Sequence, residues 1–175
     1  MGKSAHAQLD DLPDATDGLE KFAPQPAPPV VFTDVHGRRL TLRDFQGHAL
    51  VVNLWATWCG PCVAELPSFA AIAPQLRASG VLILPISIDL SGATAVRPFY
   101  ASHDITSLPI LLDQNGTNMA VLDTNSIPLT VVINSSGHLI ARLDGAANWN
   151  TPGMLAFLQS LDAAPAPSHS EFIPV

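Results

Sequence analysis

The stretch Ala49-Leu50-Val51-Val52-Asn53-Leu54-Trp55-Ala56-Thr57-Trp58-Cys59-Gly60-Pro61-Cys62 decides how this chain is read. Its first seven residues form a nearly continuous apolar run, as expected of a strand covered on both faces. From Gly60 to Ala78 the pattern turns helical, with apolar Val63, Leu66, Phe69, Ala70 and Ala73. Pro61 falls near the helix start, where a missing amide donor costs nothing, whereas Pro67 predicts a kink. Cys59 therefore opens a helix directly after a buried strand. The first helical turn offers unpaired amides and the positive end of the macrodipole, and both stabilise a thiolate. Thiolate is the nucleophile, and cysteines so placed can have pKa values of roughly 3.5–7.5. Cys62, one turn on and shielded by the helix, is the expected resolving thiol.

The rest of the composition supports a reactive pair. The chain has 175 residues, 47% apolar and 13% charged, enough for one domain with a full core. It holds two cysteines, three residue steps apart. A staple closing so short a loop would add only about 2 kcal/mol. Two cysteines are too few for structural zinc, and no His follows Cys62 within ten residues, so no metal site is expected. A chance C-x-x-C in an unrelated fold is the competing reading. The formal charge of −7 and pI near 5.1 argue against nucleic acid and anionic membrane surfaces as partners.

No run of 18 apolar residues suits a bilayer span. Met1 to Lys21 is polar and lacks the apolar centre of a secretory signal. Either the protein is cytoplasmic, or it is exported and its signal or anchor is absent from this chain; the polar opening favours the second. Gly2 does not begin a myristoylation signal, because the sixth position is His6.

Residues 1–29 end in Pro24-Gln25-Pro26-Ala27-Pro28-Pro29 and are expected to be a flexible leader. Residues 30–162 form the expected domain, and 163–175, with three prolines, the expected disordered tail. Within the domain, Val30 to Asp34 and Arg39 to Leu42 predict a hairpin. Val81 to Ile88 predicts a second buried strand, Thr94 to His103 a helix, Leu108 to Leu112 an extended segment and Asn118 to Asp123 a short helix. Leu129 to Asn134 and His138 to Asp144 predict a second hairpin, and a last helix starts at Thr151 or Pro152. Strands alternating with helices give the α/β class, as a three-layer sandwich.

Trp55 to Cys62, followed by Glu65-Leu66-Pro67, resembles the active-site stretch of the TlpA/ResA-like branch of the thioredoxin superfamily. The likeness runs from about Pro28 to Leu161 and takes in the leading hairpin, Leu42 to Gly47, a central insertion at 91–125 and Gly145 to Trp149. It implies a thioredoxin-like α/β/α sandwich with an N-terminal β-hairpin and a central insertion. It also implies that Pro128 is a cis-proline facing the dithiol, keeping metal away, with Ile127 pairing to substrate backbone. An ordinary trans-proline at a strand start is the alternative. Glu65 matches the branch's active-site acid, able to accept the Cys62 proton, where classical thioredoxins carry an Asp at the place of Asn53. A solvated glutamate pairing with Arg77 is the alternative. Trp58 is a candidate contact surface for partners or simple packing, and Trp55 a core residue or floor beneath the dithiol. Asp34 and Asp89 are read as solvated loop acids, and none of the six His residues is given a role.

The resemblance implies a reductase of selected extracytoplasmic protein disulfides, periplasmic and monomeric, supplied with electrons by a membrane thiol donor. The dithiol is its own redox group, so no cofactor is called for. Cytochrome c maturation and cytochrome oxidase assembly both fit. A DsbA-like oxidant and a copper-delivering or thiol-holding module are the rivals, although copper chaperones of the Sco type use a wider C-x-x-x-C. A peroxidase pattern P-x-x-x-[TS]-x-x-C is not met, since no cysteine precedes Cys59.

Overall fold

The computed structural model describes residues 9–161. A short helix α1 (Ala15–Gly18) precedes strand β1 (Glu20–Pro26), the hairpin β2 (Val31–Thr33) and β3 (Arg39–Thr41), and a 3₁₀ turn at Leu42–Phe45. Strand β4 (Ala49–Trp55) leads into helix α2 (Gly60–Ala78) and then strand β5 (Val81–Ser87). The central insertion supplies α3 (Ala93–Ser102), β6 (Leu111–Leu112) and α4 (Thr117–Val121). Strands β7 (Leu129–Ile133) and β8 (His138–Asp144) and helix α5 (Pro152–Gln159) follow.

The strands form one eight-stranded mixed sheet in the order β1-β8-β7-β4-β5-β6-β2-β3. Strand β4 lies parallel to β5 and antiparallel to β7, and every residue of β4 is buried. That is why its sequence shows no polar alternation: both faces are covered. Val51 and Trp55 join the apolar cluster beneath α2 and α5, together with Phe69, Trp149 and Leu158. Leu50, Val52 and Leu54 join the cluster on the other face, with Phe32, Phe45 and Leu122. The sheet is thus the middle layer of an α/β/α sandwich, thioredoxin-like as expected, with the hairpin added through a Thr33–Leu112 pairing to β6.

Helix α2 runs unbroken through both Pro67 and Pro74. The leader expectation needs correction over part of its length. Residues 20–26 form β1, antiparallel to β8, with a register shift between Lys21 and Gln25. Pro24 and Pro26 point to a flexible leader ending in an extended polyproline segment, but an edge strand uses amides on one side only and tolerates proline. Asp14 also anchors this region, accepting from Thr151 Oγ1 at 2.9 Å. The expected tail at 163–175 lies outside the described residues.

Candidate active site

Three features of the fold meet at the C-terminal end of β4. Strand β4 stops at Trp55, a short loop follows, and Cys59 caps the N-terminus of α2. Cys59 and Cys62 are joined as a disulfide, with Cα atoms 5.3 Å apart. The Cys62 amide donates to Cys59 Sγ at 3.3 Å, so the first sulfur occupies the place where a helix start favours negative charge. Cys59 keeps 7% exposure against 1% for Cys62. The first sulfur is the one a partner can reach.

The loop from β7's start closes over this pair. The Ile127–Pro128 peptide is cis, and the Ile127 carbonyl oxygen lies 3.8 Å from Cys59 Sγ. On the outer side Trp58 is 68% exposed, and Leu90, after β5, is 83% exposed. Of the two, Trp58 stands immediately before Cys59 in the chain.

Glu65 is buried rather than solvated, and it makes no pair with Arg77, whose guanidinium donates to the Ser107 carbonyl. Its Oε1 accepts from the Trp149 indole at 2.7 Å and the Ala147 amide at 3.2 Å. Its Oε2 faces Asn53 Nδ2 at 3.4 Å. Burial pushes the carboxyl up to about 8, opposed by the bonds from Trp149, Ala147 and Asn53. A carboxyl poised there can hold or release a proton near neutral pH. Asn53 also donates to Thr130 Oγ1 at 3.0 Å, while its own Oδ1 is buried without a partner.

Two residues carry more than the sequence reading gave them. Asp89 was expected to be solvated, yet it is 4% exposed and accepts from the Thr57 amide, the Thr57 hydroxyl and the Ser87 hydroxyl. It therefore clamps the loop that carries Trp58. Its position at the end of β5, parallel neighbour of β4, was the available signal. Trp149 supplies the shortest bond to Glu65 and stacks on Phe69 with ring centroids 5.0 Å apart. Trp55 is core, packed against Phe99 and Tyr100. Asp34 is likewise buried, accepting from the amides of His36 and Arg38. Among the described residues no three His, Cys, Asp or Glu side chains cluster to hold a metal ion.

The AhpC/TSA family model matches residues 23–142. The thiol–disulfide oxidoreductase ResA of Bacillus thuringiensis subsp. konkukian is 30% identical over 119 residues, covering 68% of each chain. Among solved structures, a secreted thiol–disulfide isomerase from Corynebacterium glutamicum superposes with a TM-score of 0.67 at 20% identity, over 81% of this chain and 92% of that one. The exposed lipoprotein thioredoxin of Streptococcus pneumoniae superposes with a TM-score of 0.62 at 23% identity, over 76% of this chain and 99% of that one. Both share the fold. Cys59 is preceded by Ala56 and Val52 where the peroxidase pattern has Thr or Ser and Pro. A disulfide set on a helix start, with a buried acid further along the same helix and these relatives beside it, shows that the chain belongs to the AhpC/TSA family of the thioredoxin superfamily, among its ResA-like thiol–disulfide oxidoreductases.

Proposed function

We propose that the chain reduces selected disulfides of extracytoplasmic proteins, taking electrons from a thiol donor in the membrane. The observation that carries this reading is Cys59 Sγ at the cap of α2, accepting the Cys62 amide and retaining the exposure its companion lacks. In the dithiol state the Cys59 thiolate attacks one sulfur of the partner's disulfide and expels the other as a thiolate. Cys62 then gives its proton to Glu65 and attacks Cys59 Sγ. The second partner thiolate leaves, the partner gains two electrons, and the Cys59–Cys62 disulfide described here is the product. A fresh donor dithiol restores the enzyme.

The backbone of Ile127 aligns the partner's chain as an added strand would, with Pro128 holding that carbonyl beside Cys59. Trp58 and Leu90 supply apolar contact to a protein rather than to a small disulfide. The secreted and exposed character of the two fold neighbours supports work outside the cytoplasm. The reading adds the periplasm as the compartment and a monomer as the working unit. Maturation of cytochrome c and assembly of cytochrome oxidase are the two processes whose thiol chemistry suits such a reductase.

The test is a redox titration of the dithiol against glutathione. A potential well below that of glutathione identifies a reductant. A potential near that of the strongly oxidising disulfide catalysts would overturn the reading.

A further inference from the structure

The three donors around Glu65 divide unequally between its oxygens. Oε1 already accepts from two fixed N–H groups, the Trp149 indole and the Ala147 amide. A proton taken up by Glu65 cannot sit between those donors, so it sits on Oε2. There it meets another donor, because Asn53 turns its nitrogen towards Oε2 at 3.4 Å. Two donors facing one another in a buried site is a costly arrangement.

Asn53 carries the remedy itself. It lies directly across from Thr130 in the β4–β7 ladder and donates to that hydroxyl at 3.0 Å. Its Oδ1 is buried with no hydrogen-bond partner. Amide nitrogen and oxygen are close in size, so a half-turn of the group exchanges them without repacking, and the Thr130 hydroxyl can equally donate or accept. Unlike an aspartate, Asn53 cannot compete for the proton.

We infer that Asn53 is a positioning residue whose side-chain amide turns over when Glu65 Oε2 takes up a proton, so that Oδ1 replaces Nδ2 between Glu65 and Thr130. The ionised carboxylate then accepts from Asn53, and the protonated acid donates to it. Neither state leaves a donor facing a donor. This deepens, and rests on, the reading of Glu65 as the acceptor of the Cys62 proton. The groups bonded to the Glu65 carboxyl are Asn53 from the sheet and Ala147 and Trp149 from the closing loop, and none of them titrates. Thr130, bonded to Asn53, does not titrate either, and in the disulfide state Cys59 and Cys62 carry no proton.

The experiment is an NMR titration of the full chain in its disulfide form, from about pH 5 to about pH 10. It follows the Glu65 carboxyl carbon and the nuclear Overhauser contacts from the Asn53 amide protons to Thr130. Those contacts are expected to disappear on the acid side with the same midpoint as the carboxyl. In Glu65→Gln an N–H occupies the place of the Oε2 proton, so the contacts should be missing at every pH. Asn53→Leu removes the donor and should move the carboxyl midpoint up by roughly one pH unit. A titrating carboxyl with unmoved Asn53 contacts would overturn the turning amide alone. A carboxyl silent throughout the range would overturn both the inference and the reading beneath it.

Discussion

The Trp149 indole N–H donates to Glu65 Oε1 at 2.7 Å, tying the closing loop to the dithiol helix across 84 residues of chain. The bond gives a buried carboxyl a fixed partner, and the Ala147 amide adds a second on the same oxygen. Trp149→Phe keeps an aromatic ring against Phe69 while deleting the donor. It should lose about 1–3 kcal/mol of stability, the usual cost of stripping a partner from a buried polar group. Glu65 should also become still harder to ionise, seen as a higher midpoint for its carboxyl carbon.

Burial of Glu65 makes stability depend on pH in a direction opposite to that of a salt-bridged acid. Between its ordinary value of 4.5 and about 8 the folded chain holds a proton that the unfolded chain has released. Stability therefore falls as pH rises through that window and levels off above it, a loss of the order of a few kcal/mol. Denaturant unfolding of the disulfide form should show this slope, and Glu65→Gln should flatten it. A wild-type protein equally stable at both ends would contradict the burial of an ionisable acid here.

Cys62→Ser removes the resolving thiol and should accumulate mixed disulfides through Cys59, visible as higher bands on a non-reducing gel. Cys59→Ser should accumulate none. Trapped complexes from the second variant in place of the first would exchange the roles of the two sulfurs.

Trp58 and Leu90 are exposed, so their replacement should barely touch folding, within about 0.5 kcal/mol. Trp58→Ala and Leu90→Ser are each expected to lower kcat/KM towards a protein disulfide by roughly tenfold, the effect of losing an interface contact. Turnover of a small aromatic disulfide should be unchanged. Equal losses on both substrates would place these residues in the chemistry and not in recognition.

Asp89 holds the loop before Cys59 through the Thr57 amide at 2.9 Å and hydroxyl at 2.6 Å. Asp89→Ala leaves those donors and the Ser87 hydroxyl unpaired, at a cost of about 1–3 kcal/mol. Hydrogen exchange at the Thr57 amide should speed up more than exchange in β4.

The elements that the sequence made legible are those whose signal is local. Ala49–Trp55 and Gly60–Ala78 lie where continuous apolarity and helical spacing put them, and the Cys59 cap follows from both. The α/β class and the hairpins likewise follow from runs bounded by turn residues. What escaped depends on distant partners. Asp89 reads as a loop acid until β5 is laid beside β4, when it falls under Thr57. Glu65 left two readings open, because its burial is set by Trp149 and Ala147, far along the chain. Strand β1 escaped because Pro24 and Pro26 argue against a strand in isolation, and only its edge position reconciles them.

That edge has a consequence for how the molecule behaves in company. A sheet with an open outer strand runs the hazard of pairing with its own copies along that flank. With two prolines in β1, part of the outermost rim has no amide hydrogen to offer a visiting strand. Self-templated stacking is discouraged on that flank, while guests are received at the opposite end of the design's logic, by sulfur.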